Sequence, residues 1–313
     1  LKKKILIVSY SQTGQLNNLV ENFTNPLLND ENFELIFKNI KPKKEYPFPW
    51  DIFSFMQIFP ESAHMIPCEI EEIEDDENEY DLIILAYTVW FLSPSIPISS
   101  FLQSSYAKKK FKNRPVVTLI ACRNMWIMAQ EKVKTILKEL NAKLIDNVVF
   151  IDKGNSLETF ITTPRWMLSG KKDSFFGLSS AGIDENEIKK SARFGRALKV
   201  ALKNDKEKEQ KSLLFGLNAL SVDEKLIKSE KIGNKSFLIW GSLIRKTKQN
   251  TVSRKILVMI YLVFLLLMIL TVVPINMIVQ TVVRRLNKNS ILKQKEFYEL
   301  PSGSDDYRMK EFL

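Results

Sequence analysis

Short, unbroken apolar runs alternate with helical patterns along the first two thirds of the chain. Lys4-Ile5-Leu6-Ile7-Val8-Ser9-Tyr10 is the first run, and Asp81-Leu82-Ile83-Ile84-Leu85-Ala86 is the strongest. Runs this short, with no polar alternation, predict strands buried on both faces. Phe33 to Asn39 alternates Phe33, Leu35 and Phe37 against Glu34 and Lys38 and gives a second strand. Pro115 to Ala121 and Ala142 to Ile151 supply the fourth and fifth. Helical periodicity fills the gaps. One helix starts at Leu16 and runs to about Thr24, stopping before Pro26. Others begin near Ile96, run from Ile127 to Leu140, and extend from an Asp184 cap to about Asn204. Five strands alternating with helices mean βαβ units, an α/β class and a parallel sheet.

Two stretches break this rhythm inside the expected domain, residues 1–204. The first is an insertion at 43–68, with Tyr46-Pro47-Phe48-Pro49-Trp50 followed by Ile52, Phe53, Phe55, Met56 and Phe59 at helical spacing. A greasy face on so short a helix either packs on the domain or serves as a lid or membrane foot. The second, 152–183, is punctuated by Gly154, Pro164, Gly170, Gly177 and Gly182, yet carries Phe160, Trp166, Phe175 and Phe176. Its aromatics argue against disorder. Residues 205–255 read as a basic connector. Residues 256–283, 28 positions without a charge, read as a membrane-embedded segment, and 284–313 as a loose polar tail.

Charge and cysteines narrow the setting. The net charge is +10, but Glu69 to Glu79 is strongly acidic and the basic excess crowds around the apolar segment. That distribution points to membrane headgroups rather than nucleic acid. Cys68 and Cys122 fit no metal spacing and read as free thiols in a reducing compartment. Lys2 to Lys4 mimic the start of a signal peptide, but the apolar run ends at Ser9, so the first domain is expected in the cytoplasm. Five cations within reach on each side of the apolar segment leave its orientation tied. A single span and a re-entrant or in-plane helix, the latter kinked at Pro274, both remain open.

The chemistry lies in the loops that follow the strands, because open parallel sheets bind ligands there. Ser11-Gln12-Thr13-Gly14-Gln15 places hydroxyls, amides and a helix N-terminus at one spot, suited to a phosphate. No Lys follows it and no G-x-G-x-x-G is present, which argues against nucleoside triphosphates and dinucleotides. Tyr87-Thr88-Val89-Trp90-Phe91 and Cys122-Arg123-Asn124-Met125-Trp126 bring flat aromatics to the same edge. These suit a flat ring with a phosphate tail, although each tryptophan is also a reasonable core residue.

The Ser11 to Gln15 loop, the Trp90 loop, the third loop and the closing Arg193-Phe194-Gly195-Arg196-Ala197-Leu198 together resemble flavodoxin-like proteins over about 200 residues. This resemblance implies a five-stranded sheet of order 2-1-3-4-5 with helices on both faces, and FMN. It implies cofactor contacts from Ser11, Gln12, Thr13, Gly14, Gln15, Thr88, Val89, Trp90, Phe91, Cys122, Asn124 and Trp126. The family often has Thr where Leu16 stands, so backbone N–H groups must replace one hydroxyl. More narrowly, the Tyr46 to Trp50 insertion, Thr88 to Phe91, Cys122 to Trp126 and the apolar segment resemble the aromatases of dialkylresorcinol and flexirubin-type pigment synthesis. That resemblance implies oxidation of a 2,5-dialkylcyclohexane-1,3-dione to a dialkylresorcinol.

The proton beside a 1,3-dicarbonyl is already acidic, so Tyr87, water or His64 (the only histidine) are each open as base. Arg123 is a candidate to hold an enolate oxygen, or else a surface ion-pair partner. Cys122 reads as a small packing residue rather than a nucleophile. The alternatives are a membrane-associated NAD(P)H:quinone oxidoreductase and a non-catalytic electron carrier. A hydrophobic substrate and the cytoplasmic face of a membrane are the expected partners. NAD(P)H use and a homodimer stay open, and no nucleic acid is expected.

Overall fold

A computed structural model describes residues 2–152, 154, 158–249, 251–286 and 288–313, the side chains of 272–286 excepted. The strands are β1 (Lys3–Ser9), β2 (Phe33–Asn39), β3 (Leu82–Trp90), β4 (Ser93–Pro94), β5 (Pro115–Cys122) and β6 (Lys143–Ile151). Five of them form a parallel sheet in the order β2-β1-β3-β5-β6, with β4 turning back antiparallel on β3. Leaving out that two-residue return, the order is the expected 2-1-3-4-5, the flavodoxin-like arrangement.

The unbroken apolar runs have the anticipated cause. Leu6, Val8, Ile83, Leu85 and Tyr87 enter one core, while Ile5, Ile7, Leu82, Ile84 and Ala86 enter the other. One face is covered by α4 (Ile96–Leu102), α5 (Ser105–Lys110) and α6 (Ile127–Glu139). The other is covered by α1 (Gln15–Leu28), α8 (Glu185–Lys190) and α9 (Ala192–Lys203). The insertions carry α2 (Ile52–Gln57), α3 (Phe59–Ala63) and α7 (Thr159–Ser169).

Two helix boundaries differ from the sequence reading. α1 continues through Pro26 to Leu28. A proline in the last turn removes only one backbone bond, and Leu27 is fully buried beyond it. The Asp184-capped helix is two helices, broken at Ser191, whose Oγ donates to the Ile188 carbonyl at 2.6 Å. Gly195 is where α9 crosses α1: a Cβ there would lie 2.1 Å from the Phe23 carbonyl oxygen.

Larger differences lie beyond residue 204. The expected connector is folded onto the domain. Leu213, Leu214, Leu217 and Ala219 enter one core and Leu220, Val222 and Ile227 the other. Val149 N–H donates to the Ala219 carbonyl, so this segment covers the β6 edge that would otherwise stay unpaired. α10 (Glu224–Arg245) then packs along α3 and α6, and α11 (Val252–Leu286) follows. The kink expected at Pro274 falls within α11, whose backbone is helical from Val252 to Leu286.

The tail is not loose either. After α12 (Lys288–Glu299), Ser302 is fully buried and its Oγ donates to Asp146 Oδ1 at 2.7 Å. Asp146 also accepts from Ser212 Oγ and from the Leu213 and Leu214 N–H groups, though burial pushes its carboxyl up to about 6. Asn218 N–H donates to the Asp305 carbonyl and Arg308 N–H to that of Gly216.

Candidate functional site

The strand order reverses between β1 and β3, and a crevice beyond their C-terminal ends is the binding position of such sheets. The loop after β1 ends at Gly14, which caps α1 in the left-handed region at φ 80°. A Cβ on Gly14 would meet nothing within 4 Å, so space lies in front of the turn. The Asn18 N–H donates to the Gly14 carbonyl and begins the helical ladder, leaving the first-turn N–H groups facing outward. Two polar side-chain atoms here, Ser11 Oγ and Gln15 Nε2, are buried without a partner. Gln15 Oε1 is held by the Ile183 N–H at 3.3 Å. Gln12 Nε2 reaches away, donating to the Pro47 carbonyl at 2.6 Å, and Thr13 is exposed. Helix N–H groups, a hydroxyl and an amide without protein partners are the donor set of an anion cradle.

The loop after β3 is shorter than the sequence suggests. β3 runs on through Thr88 and Val89 to Trp90 and folds back at Ser93, with Phe91 and Leu92 at positive φ. Trp90 is the centre of an aromatic cluster. Its ring lies 5.1 Å from Tyr46, 5.9 Å from Tyr10 and 6.0 Å from Trp50. Trp50 N–H donates to the Met167 carbonyl, and Phe48 meets Trp166 edge-on, so the two insertions close over one another. Phe91 turns elsewhere, packing on Phe55 at 4.7 Å, Phe59 at 5.3 Å and Phe237 at 5.9 Å.

The third loop carries Arg123, whose guanidinium stacks 3.9 Å over Phe160 with Nε buried and unpartnered. Burial lowers its pKa to about 10, against the pull of Asp152, which leaves it a cation at neutral pH. Asn124 lies in the same turn, and Trp126 is buried at the head of α6. Burial pushes the Cys122 thiol pKa up, in keeping with a packing residue rather than a reactive thiol.

The structure gives two sequence-nominated bases other partners. Tyr87 is fully buried, and its hydroxyl donates to Gln130 Oε1 at 2.5 Å. Burial raises its pKa well above the ordinary value, so it is held as a donor. His64 Nε2 lies 3.0 Å from the Leu238 carbonyl and 3.2 Å from Ser242 Oγ, on α10. Burial lowers the His64 pKa. A Cβ on Gly241 would come within 2.9 Å of the His64 ring, so α3 and α10 meet closely here.

Two charged groups escaped the sequence reading. Glu230, 1% exposed, accepts from the Met128 N–H at 2.7 Å and caps α6 just after the Arg123 loop. Burial raises its carboxyl to about 8. Lys132 Nζ, its pKa lowered by burial to about 8, donates to the Ala63 carbonyl and Ser93 Oγ. Asp223 as an N-cap ahead of Ile227 and Ile244 was the available signal for α10, and with it for Glu230.

Fold and loop together define an α/β protein of flavodoxin-like topology with unpartnered polar atoms in the turn after its first strand. No family model and no curated protein matches the sequence. Solved structures with a similar fold include a flavoprotein in complex with FMN from Lactobacillus acidophilus, at 20% identity and a TM-score of 0.38, covering 48% of this chain and 93% of that one. A flavodoxin from the domain Archaea covers 64% of this chain and 97% of its own, at 9% identity and TM-score 0.35. The oxidised Flavodoxin 1 of Bacillus cereus covers 62% and 95%, at 12% and 0.33.

Proposed function

We propose that the chain is an FMN-dependent oxidoreductase attached to the cytoplasmic face of a membrane. We further propose that it aromatises a 2,5-dialkylcyclohexane-1,3-dione to a dialkylresorcinol. The observation that carries the first step is the pair of unpartnered buried atoms, Ser11 Oγ and Gln15 Nε2, beside the open left-handed Gly14 at the head of α1. They ask for an anion of phosphate size at the sheet position where such folds take a phosphorylated ligand. When bound, FMN supplies a two-electron acceptor for the hydride lost on aromatisation.

The protein's own groups have separable tasks in this reading. Ser11 to Gln15 hold the phosphate. Trp90, Tyr46, Trp50 and Tyr10 give an apolar aromatic wall beside the ring position. Arg123, a cation with one unpartnered N–H, stabilises the enolate oxygen. The one proton lost, acidified by two carbonyls, leaves to water, because the Tyr87 hydroxyl and His64 ring already have partners. The long insertions favour a catalyst over a carrier, which needs only an exposed flavin edge.

Purified protein should be yellow and release FMN on denaturation; a colourless protein that takes up no FMN would sink the flavin reading. Anaerobic mixing with a long-chain 2,5-dialkylcyclohexane-1,3-dione should bleach the flavin without NAD(P)H. Bleaching only by NAD(P)H would replace the aromatase with a quinone reductase.

A further inference from the structure

We infer that α11 does not cross the membrane but lies in its plane, and that α2 and α11 together form a platform seated in one leaflet. This rests on the membrane attachment proposed above and specifies its geometry. Both flanks of the helix are tied to the same soluble domain. At its start, Arg254, 2% exposed, donates Nε to Gln57 Oε1 and Nη2 to the Gln57 carbonyl and both Glu61 carboxylate oxygens at 2.7–2.8 Å. Beyond its end, Lys231 Nζ donates to Gln294, Tyr298 is buried and Ser302 is bonded to Asp146 inside the sheet.

The distances forbid a crossing. If Val252–Thr271 spanned the hydrocarbon, the rest of α11 would carry Leu286 a further ~22 Å beyond it at ~1.5 Å per residue. α12 has 12 residues, a reach of ~18 Å, and cannot return through a core of ~30 Å to bring Tyr298 and Ser302 home. A spanning helix would have to tear the tail out of the domain.

The side chains describe the alternative. Arg254, Val258 and Tyr261, one stripe of α11, are buried against α2, α3 and α10. Ile256, Met259, Ile260, Val263, Leu266, Leu267 and Leu270 are exposed on the rest. The protein thus supplies the polar side that an interfacial helix ordinarily carries itself. Ile52 and Phe53 of α2, each 39% exposed, line a dimple together with Met259 and Leu262 and extend the apolar face. Exposed Arg245, Lys246, Lys248 and Lys255 gather at the head of α11, matching anionic headgroups. A bilayer leaflet fits this combination of an apolar sheet of side chains with a cationic rim. It also brings the α2 helix, which adjoins Trp50 and the aromatic cluster, to the lipid phase.

The test uses the full chain, tagged at both ends and expressed in a bacterium. Membrane fractionation comes first: recovery wholly in the soluble fraction overturns the attachment itself. For protein in the membrane fraction, external protease on intact spheroplasts should cut neither tag, and both should be cut after lysis. Cleavage of the tag after Leu313 alone means a crossing and overturns the in-plane geometry while leaving attachment standing. With mixed phosphatidylethanolamine–phosphatidylglycerol vesicles, Phe53→Asp combined with Leu267→Asp should lower binding roughly tenfold. Both side chains are exposed, so circular dichroism should be unchanged. A wild type that ignores vesicles and sediments as a dimer, becoming monomeric in the double variant, would assign the platform to a second copy instead.

Discussion

Ser11→Ala should change two measured quantities in opposite directions. Ser11 Oγ is buried without a partner, and leaving a buried hydroxyl unmade costs roughly 1–3 kcal/mol. Removing it should leave the ligand-free protein equally stable or more so, by about 1 kcal/mol, or roughly 2–4 °C in Tm for a domain of this size. If the hydroxyl instead awaits a phosphate, its hydrogen bond to a charged oxygen is worth roughly 1.5–3 kcal/mol. The same substitution should therefore weaken FMN binding about 10- to 100-fold. Flavin fluorescence titration gives the affinity, and thermal unfolding of the stripped protein gives the stability. Thr13→Ala is the control on stability, because Thr13 is exposed in the same turn. A Ser11→Ala protein that melts lower and binds FMN unchanged would refute the reasoning, since the hydroxyl would then be a structural bond.

Other consequences are separable. Gly14→Val places a β-branched residue at φ 80°, where a side chain costs roughly 1–2 kcal/mol; flavin should be lost while the chain still fractionates with membranes. Gly195→Ala should lower Tm by at least ~3 °C despite alanine's better helix propensity, because its Cβ would sit 2.1 Å from the Phe23 carbonyl oxygen; an unchanged melt would mean α1 and α9 separate freely. Glu230 has its pKa raised by burial from 4.5 to about 8, so the folded state holds its proton more tightly than the unfolded one. That stability is complete below pH 4.5 and lost as pH rises through 8. Between about pH 7 and about pH 9 the loss is about 1.4 kcal/mol. Glu230→Gln should remove it in urea titrations. Lys132, lowered to about 8, contributes in the opposite sense above that pH, so the difference between wild type and variant is the quantity to compare. A difference that does not change with pH would mean Glu230 stays ionised.

What the sequence revealed and what it concealed divide along a physical line. The central strands β1, β3 and β5 were legible because each is a short apolar run covered on both faces by helices whose own periodicity marks the covering face, and β2 because its residues alternate. Ser11 to Gln15 was legible because a strand, a polar turn with one glycine and a helix start are all local features. The stretch from Ser212 to Val222 has neither a period of two nor one of 3.6, and it is buried because β6 is an edge that something must cover. Likewise Ser302 and Asp305 are ordinary polar residues until Asp146 and Asn218 come within bonding distance of them. Even the expected helix end at Pro26 failed for a tertiary reason, since Leu27 is worth burying past a proline that costs one bond. The same division governs the site. The strand, turn and helix start from Ser9 to Gln15 are local and could be read. Glu230 and the Arg254 anchor owe their environments to α10 and α11 folding back, and Lys132 owes its partners to α3 and β4, which no spacing in the chain records. Because those late elements grip α3, the loop after β3 and the head of α6 at once, whatever α11 rests on is mechanically joined to the Trp90 aromatic cluster. A soluble fragment ending near residue 204 would lose that join, together with the cover of β6. It is therefore expected to be less stable than the whole chain, whether or not it still binds a flavin.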